Sequence, residues 1–264
     1  MALKPPLKWA GGKRWLVPKL APYWIIYAGQ RLVEPFCGGL SVALGLNPHT
    51  ALLNDINPHV INFYRQIQKG LVIESPMKND HDFYMEQRKE FNWLTHNLES
   101  SDKRKAELFY YMNRTGFNGL CRFNKKGGFN VPFGKYKTIN YVRDFTAYKE
   151  QLSKWEFSCK DFKKINLRSD DFIYADPPYD VEFRQYSQGG FEWDDQIRLA
   201  TWLSKHPGPV VASNQATDRI VSLYERLGFR IEKLMGPRRI SCTGDRSPAQ
   251  EMLATKNVEF AEVS

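Results

Sequence analysis

An apolar run in the second half of the chain ends in an acid, two prolines and an aromatic ring, Asp176-Pro177-Pro178-Tyr179 within the stretch DDFIYADPPY. Proline fixes φ and removes a backbone donor, so the pair stops strand and helix alike and holds the acid before it in one attitude. Phe172 to Ala175 reads as a strand, which puts Asp176 at its carboxyl end. The rigid turn then keeps the Asp176 side chain and the Pro177 carbonyl facing a cleft together. Two such acceptors suit an exocyclic amine: they take both hydrogens of an –NH₂ group and help free the nitrogen lone pair to attack an electrophile. Tyr179 supplies a ring on which a base stacks. Asp176, Pro177, Pro178 and Tyr179 are the candidate catalytic residues.

A second constellation lies upstream. Val33-Glu34-Pro35-Phe36-Cys37-Gly38-Gly39 follows an apolar run and opens a helical pattern, the place where an open α/β sheet binds ligands. Roughly 20 residues beyond such a turn, nucleotide-binding folds set an acid to accept ribose hydroxyls, and Asp55 stands at about that distance. Gly38-Gly39-Leu40-Ser41 lacks the later glycine that makes room for a pyrophosphate, so an adenosyl ligand without phosphates fits better. Lys8-Trp9-Ala10-Gly11-Gly12-Lys13 ends like a phosphate loop, but Leu7 and Arg14 stand where a glycine and a magnesium-holding hydroxyl belong, which excludes an NTPase. The segment reads either as a further pocket wall, with Trp9 as an apolar face and Lys13 pairing a carboxylate, or as a core Trp beside surface lysines.

These groups need a scaffold. Runs at 31–35 and 51–55, with helical patterns at about 41–46 and 58–69, give the rhythm of a βαβα unit. Strand-like runs return at 156–159, 172–175, 210–213 and 229–234, with helical patterns at 194–205 and 217–227 between the last three. Between the two halves, 80–115 carries apolar residues at three and four spacing with no strand, which predicts two helices. The expected fold is α/β: a Rossmann-like sheet domain formed by 1–56 and 145–264, with a mainly helical insertion at 57–144 folded against it.

The chain has 264 residues, 42% of them apolar, which suffices for a packed interior. Its net charge of +9 favours a polyanionic partner. The four cysteines, Cys37, Cys121, Cys159 and Cys242, form no metal-ligand pattern and read as reduced thiols, so no metal is expected. Lysines and prolines interrupt the N-terminal apolar residues and no run reaches membrane-spanning length, so the expectation is a cytoplasmic protein. A monomer is expected in solution, with more than one copy able to occupy such a polyanionic partner.

Between Arg114 and Arg143 there are seven basic residues, Arg114, Arg122, Lys125, Lys126, Lys135, Lys137 and Arg143, and no acid. Phe117, Phe123, Phe129, Phe133, Tyr136 and Tyr141 interleave with glycines in the same segment. That mixture suits neutralising phosphates and wedging or stacking against bases. Arg122 has the reach to grip a guanine edge, and Asn118 or Asn124 to read adenine or phosphate.

The trio KWAGGK, VEPFCGG and DPPY, in that order with a long insertion before the third, resembles the Dam-type amino-methyltransferases, which methylate adenine N6 in DNA with S-adenosylmethionine. The likeness spans nearly the whole chain and includes NRTGFNGLCRFN from Asn113 and FNVPFGKY from Phe129. It implies a Rossmann-like methyltransferase sheet domain with an inserted target-recognition domain. It implies a cofactor site of Trp9, Lys13, Glu34, Phe36, Gly38, Asp55 and Asp176, with the turn at Asp176 also handling a flipped adenine. It further implies that Lys8, Arg114, Phe117, Asn118, Leu120, Arg122, Asn124, Lys126 and Tyr136 meet double-stranded DNA, that Tyr136 fills the gap left by the flipped base, and that the target is GATC. Two departures stand out: Leu40 replaces a third glycine found in many members, and Phe117 stands where tyrosine is frequent. The same amine grip also serves methylation of RNA or of cytosine N4, and a DNA-binding protein with a vestigial pocket is the non-enzymatic alternative.

Overall fold

A computed structural model describes residues 3–97, 101–180, 190–237 and 248–259. Seven strands form one sheet: β1 (Leu32–Glu34), β2 (Ala51–Asn54), β3 (Trp155–Ser158), β4 (Phe172–Ala175), β5 (Val210–Gln215), β6 (Arg230–Gly236) and β7 (Ala249–Lys256). Their order is β3-β2-β1-β4-β5-β7-β6. β1 to β5 pair in parallel, and β7 runs antiparallel between β5 and β6. The chain moves outward from β1 on one side and from β4 on the other, so the order reverses between them. Ligands bind outside the carboxyl ends of strands at such a reversal.

Side chains alternate across the sheet, as strand geometry requires. Leu32, Phe172 and Tyr174 face one core, shared with α1 (Val17–Trp24), α2 (Ser41–Leu46) and α3 (Pro58–Gln68). Val33, Ile173 and Ala175 face the other, covered by α7 (Trp193–Ser204) and α8 (Asp218–Arg226). Burial on both faces explains why these strands are continuous apolar runs in the sequence.

The stretch without strands does hold two helices, α4 (His81–Thr95) and α5 (Asp102–Thr115), followed after the recognition segment by α6 (Thr146–Leu152). Asp80 caps α4 through Phe83 N at 2.8 Å, and Ser101 caps α5 through Arg104 N at 3.3 Å, each satisfying an orphan donor of the first turn. Phe63 of α3 stacks on Tyr110 of α5 at 5.4 Å and meets Phe145 edge-on at 5.6 Å, so these helices continue the core of the sheet. No helix among the described residues is long and apolar enough to cross a membrane. Cys37, Cys121 and Cys159 are free thiols; Cys242 lies outside the described residues.

Candidate active site and nucleic-acid interface

Asp176, Pro178 and Tyr179 of the turn after β4 are held by β5 and Lys13, by α7 and by β7 respectively. Ala175 pairs with Ala212, which sets Ser213 of β5 beside Asp176. Ser213 Oγ donates to Asp176 Oδ1 at 2.8 Å, and Tyr174 OH lies 2.8 Å from the same Oγ. The serine has one proton and gives it to the carboxylate, so the tyrosine donates to the serine. Lys13 Nζ lies 3.1 Å from Asp176 Oδ1 and 3.8 Å from Glu251 Oε2. The Lys13 ammonium and the Ser213 hydroxyl thus both address Oδ1; among the described residues no hydrogen bond reaches Oδ2. The carboxyl keeps about a fifth of its exposure, with side-chain relative exposure of 20%. Burial raises its pKa against the opposing pull of Lys13 and Ser213.

Pro178 is fixed as well. Pro178 O accepts from Gln196 Nε2 of α7 at 2.8 Å, and Gln196 Oε1 accepts from Asn214 Nδ2 at 3.0 Å. Both amides are fully buried, so the pair forms a rigid bracket under the turn. Tyr179 OH donates to Glu251 Oε2 of β7 at 2.6 Å, and Lys13 Nζ stands 4.5 Å from its ring centroid. Asp180 forms a two-pronged ion pair with Arg219 of α8.

The cofactor candidates gather around the same point, at the ends of β1, β2 and β4. Glu34 is buried at the end of β1, and its Oε1 has no hydrogen-bond partner among the described residues. Burial, with Asp176 nearby, drives its pKa well up. Asp55 Oδ2 accepts from Gly38 N at 3.1 Å and Oδ1 from Asn57 N at 2.9 Å, which ties the loop after β1 to that after β2. Trp9 lies against the glycine loop: a Cβ on Gly38 would sit 2.5 Å from its Nε1, and one on Gly39 2.8 Å from its Cβ. The two glycines therefore make room for the Trp9 side chain, a packing role that the sequence pattern alone does not separate from ligand approach. Phe36 packs edge-on against Phe191 at 5.5 Å. Unpartnered buried carboxylate oxygen, a buried lysine and an aromatic wall fit a ligand that carries both ammonium and carboxylate groups.

Leu40 accounts for one of the departures noted in the sequence. Its φ of 59° is left-handed, the conformation glycine takes freely, and its side chain is buried.

The basic segment is reached from the amino terminus. Lys8 N donates to Asn113 Oδ1 at 2.8 Å and Asn113 Nδ2 donates back to Lys8 O at 2.8 Å, which clips the start of the chain to α5. Lys8 Nζ then donates to Arg114 O at 3.0 Å and lies 3.8 Å from the Tyr136 ring centroid. Burial and the Arg114 charge lower the Lys8 pKa to about 8. Gly119 admits the lysine stem, since a Cβ there would fall 2.4 Å from Lys8 Cβ. Tyr136 OH donates to Gly116 O at 3.0 Å. Asn118 and Lys135 are both left-handed, with φ of 52° and 46°.

Part of what the sequence presents as loop is a small hairpin, with Phe123 bridged to Phe129. Asn124 Oδ1 accepts from Lys126 N at 2.9 Å and Gly128 N at 3.0 Å, so this amide shapes the hairpin tip and Lys126 stands exposed on it. Arg122 Nε and one terminal nitrogen donate to Asn130 at 2.8 and 3.0 Å. Phe117 is 41% exposed beside the partly buried Leu120, and Arg114 Nε donates to Asn140 O. Lys8, Arg114, Phe117, Asn118, Leu120 and Tyr136 are thus drawn together around Gly116 and Gly119, while Arg122, Asn124 and Lys126 belong to the separate hairpin. The described structure adds Ser213, Gln196, Asn214 and Glu251, none of which carries a motif in the sequence.

Sheet and cleft together define an α/β protein whose candidate ligand site lies where the strand order reverses. A family model, D12 class N6 adenine-specific DNA methyltransferase, matches residues 9–239. The chain is 36% identical to the retron Ec67 DNA adenine methylase of Escherichia coli, over 94% of this chain and 90% of that one. It is 37% identical to a DNA adenine methylase of Vibrio cholerae, over 94% of each. It is 34% identical to the DNA adenine methylase of Escherichia coli K12, over 94% of this chain and 93% of that one. The chain belongs to the D12 class of N6 adenine-specific DNA methyltransferases; its substrate is DNA, and the family implies a methyl donor.

Proposed function

We propose that this enzyme methylates N6 of an adenine flipped out of duplex DNA, within the sequence GATC, with S-adenosylmethionine as donor. The observation that carries the reading is the loading of Asp176: Ser213 and Lys13 both engage Oδ1, which leaves Oδ2 to accept a hydrogen from an exocyclic amine. Trp9, Lys13, Glu34, Phe36, Gly38 and Asp55 would hold the donor, which when bound supplies an electrophilic methyl group on sulfur. Glu34 and Asp55 offer acceptors to its ammonium and hydroxyl groups, while Lys13 stands between Asp176 and Glu251 at the edge of the site. Asp176 and the Pro177 carbonyl orient the adenine amine and enrich its nitrogen, and Tyr179 stacks against the base. Flipping costs a few kcal/mol, which the pocket contacts offset.

In this reading 57–144 with its basic segment recognises the target and 1–56 with 145–264 performs the transfer. α3 serves both, since it packs on α5 and on the sheet. The protein acts as a monomer in solution, and Tyr136 enters the gap left by the flipped base.

The test is incubation with labelled S-adenosylmethionine and a plasmid, followed by nucleases that discriminate adenine methylation at GATC. Label in N6-methyladenine and protection at GATC are expected; label in N4-methylcytosine, label in RNA alone, or no transfer would sink the reading. Asp176→Ala should abolish transfer and leave DNA affinity nearly intact, as measured by fluorescence anisotropy; wild-type turnover in this variant refutes the role of the carboxylate.

A further inference from the structure

Glu251 is absent from the mechanism above, yet it is buried at the rim of the same cleft. Its Oε2 takes the Tyr179 hydroxyl at 2.6 Å and lies 3.8 Å from Lys13 Nζ. We propose that Glu251 is a positioning residue that fixes the ring of Tyr179 and receives Lys13 when Asp176 engages the adenine amine, an inference that rests on the adenine-methylation reading.

The ring is the surface on which the base stacks, and a tyrosine with a free hydroxyl turns about its side-chain bonds. A charge-assisted bond to a buried carboxylate removes that freedom. The second role follows from the shared cation. Lys13 is 3% exposed and sits 3.1 Å from Asp176, close enough to draw density from the carboxylate that must accept the amine hydrogen. A buried ammonium leaves one carboxylate cheaply only where another is at hand. Glu251 is that second carboxylate, and its distance of 3.8 Å makes the transfer a short shift rather than a rotamer change.

The sheet is built to keep the space. Gly236 ends β6 beside Glu251, and a Cβ there would lie 2.4 Å from Glu251 Oε1 and 2.6 Å from its Cδ. Gly236 has no left-handed φ, so conformational freedom does not call for glycine at this position; the room for Glu251 does.

The experiment compares Glu251→Ala, Glu251→Gln, Gly236→Ala, Tyr179→Phe and the Glu251→Ala/Tyr179→Phe pair in steady-state methylation of a GATC duplex. Glu251→Ala should lower kcat on the order of 100-fold, the effect of misplacing a reacting group by about an ångström, with KM for DNA unchanged. Glu251→Gln keeps an acceptor for the Tyr179 hydroxyl but lacks the charge that receives Lys13, so it should recover only part of the loss. Gly236→Ala leaves the glutamate in place but displaced, and should reproduce the fall in kcat. The paired variant should lie well above the product of its single losses, because both act through one ring. Circular dichroism separates a folding defect in Glu251→Ala, in which case Glu251→Gln and Gly236→Ala carry the decision. Wild-type kcat in the folded glutamate and Gly236 variants, a rise in KM alone, or strict multiplication of the single losses overturns the inference. A wild-type protein that puts no methyl on adenine instead refutes the reading beneath it, and this inference with it.

Discussion

Lys8 is held in a place that works against its charge. Half-buried under Tyr136 and near Arg114, it has a pKa lowered to about 8. The free protein therefore loses this proton as pH rises through 8, well below the ordinary lysine range. A DNA phosphate or base acceptor beside it favours the charged form and raises the pKa again, so binding takes up a proton. Affinity for DNA should accordingly weaken as pH rises from 7 to 9, by up to about one decade per pH unit above the free-state pKa. Titration of a fluorescent duplex at several pH values checks this, with Lys8→Met expected to flatten the profile. An equally steep profile in that variant would assign the titration to another group. Asp176 works in the opposite sense: burial raises its pKa, so transfer should fall on acidification from a higher pH than an ordinary aspartate would give.

At the scale of elements, the loop from β1 into α2 tests how strain and burial balance. Leu40 is left-handed with φ of 59° and has 0% exposure. Leu40→Gly removes about 1 kcal/mol of backbone strain and deletes a buried side chain, which costs about 3 kcal/mol with its cavity. The expected result is a net loss of about 2 kcal/mol, read as a lower denaturant midpoint at unchanged m-value; a gain in stability would mean that strain dominates. The neighbouring elements also show what a sequence discloses. β1, β2, β4 and β5 are legible because burial on both faces makes them continuous apolar runs ending at turn residues. α1 is not, because Pro18 and Pro22 argue against a helix, although the first falls in its tolerant opening turn. β7 is missed because Ala249-Gln250-Glu251-Met252 mixes polar and apolar residues, and because the last strand of the chain inserts between two earlier ones. Asp176 announces itself through local spacing. Ser213, Gln196 and Glu251 do not, since their roles exist only once strands from distant parts of the chain lie side by side.

Over the whole molecule, the net charge of +9 is distributed with a purpose: seven basic residues and no acid fall between Arg114 and Arg143. Under the proposed function, two kinds of DNA contact separate, one around the end of α5 and one at the hairpin tip. Lys8 and Tyr136 are tied by hydrogen bonds to Asn113, Arg114 and Gly116 at the end of α5, and Arg114 to Asn140 O, which under the proposed function would place them accurately against bases. Lys125 and Lys126 instead stand exposed on the hairpin tip, where Asn124 holds the backbone and the side chains are free to follow phosphates. Phosphate contacts raise affinity for any sequence and release counterions, whereas base contacts discriminate. Replacing both lysines with glutamine should therefore weaken binding to duplexes with and without GATC by the same factor. The slope of log Kd against log salt should fall by about 1.8, or 0.9 for each phosphate lost. Exposed substitutions of this kind change stability by no more than about 0.5 kcal/mol, so folding does not confound the comparison. Fluorescence anisotropy between 50 and 200 mM salt, the range in which this term is large, measures the slope. A selective loss on the GATC duplex, with the slope unchanged, would move the hairpin from the phosphate-tracking surface to the base-reading one and leave the charge excess without its assigned role.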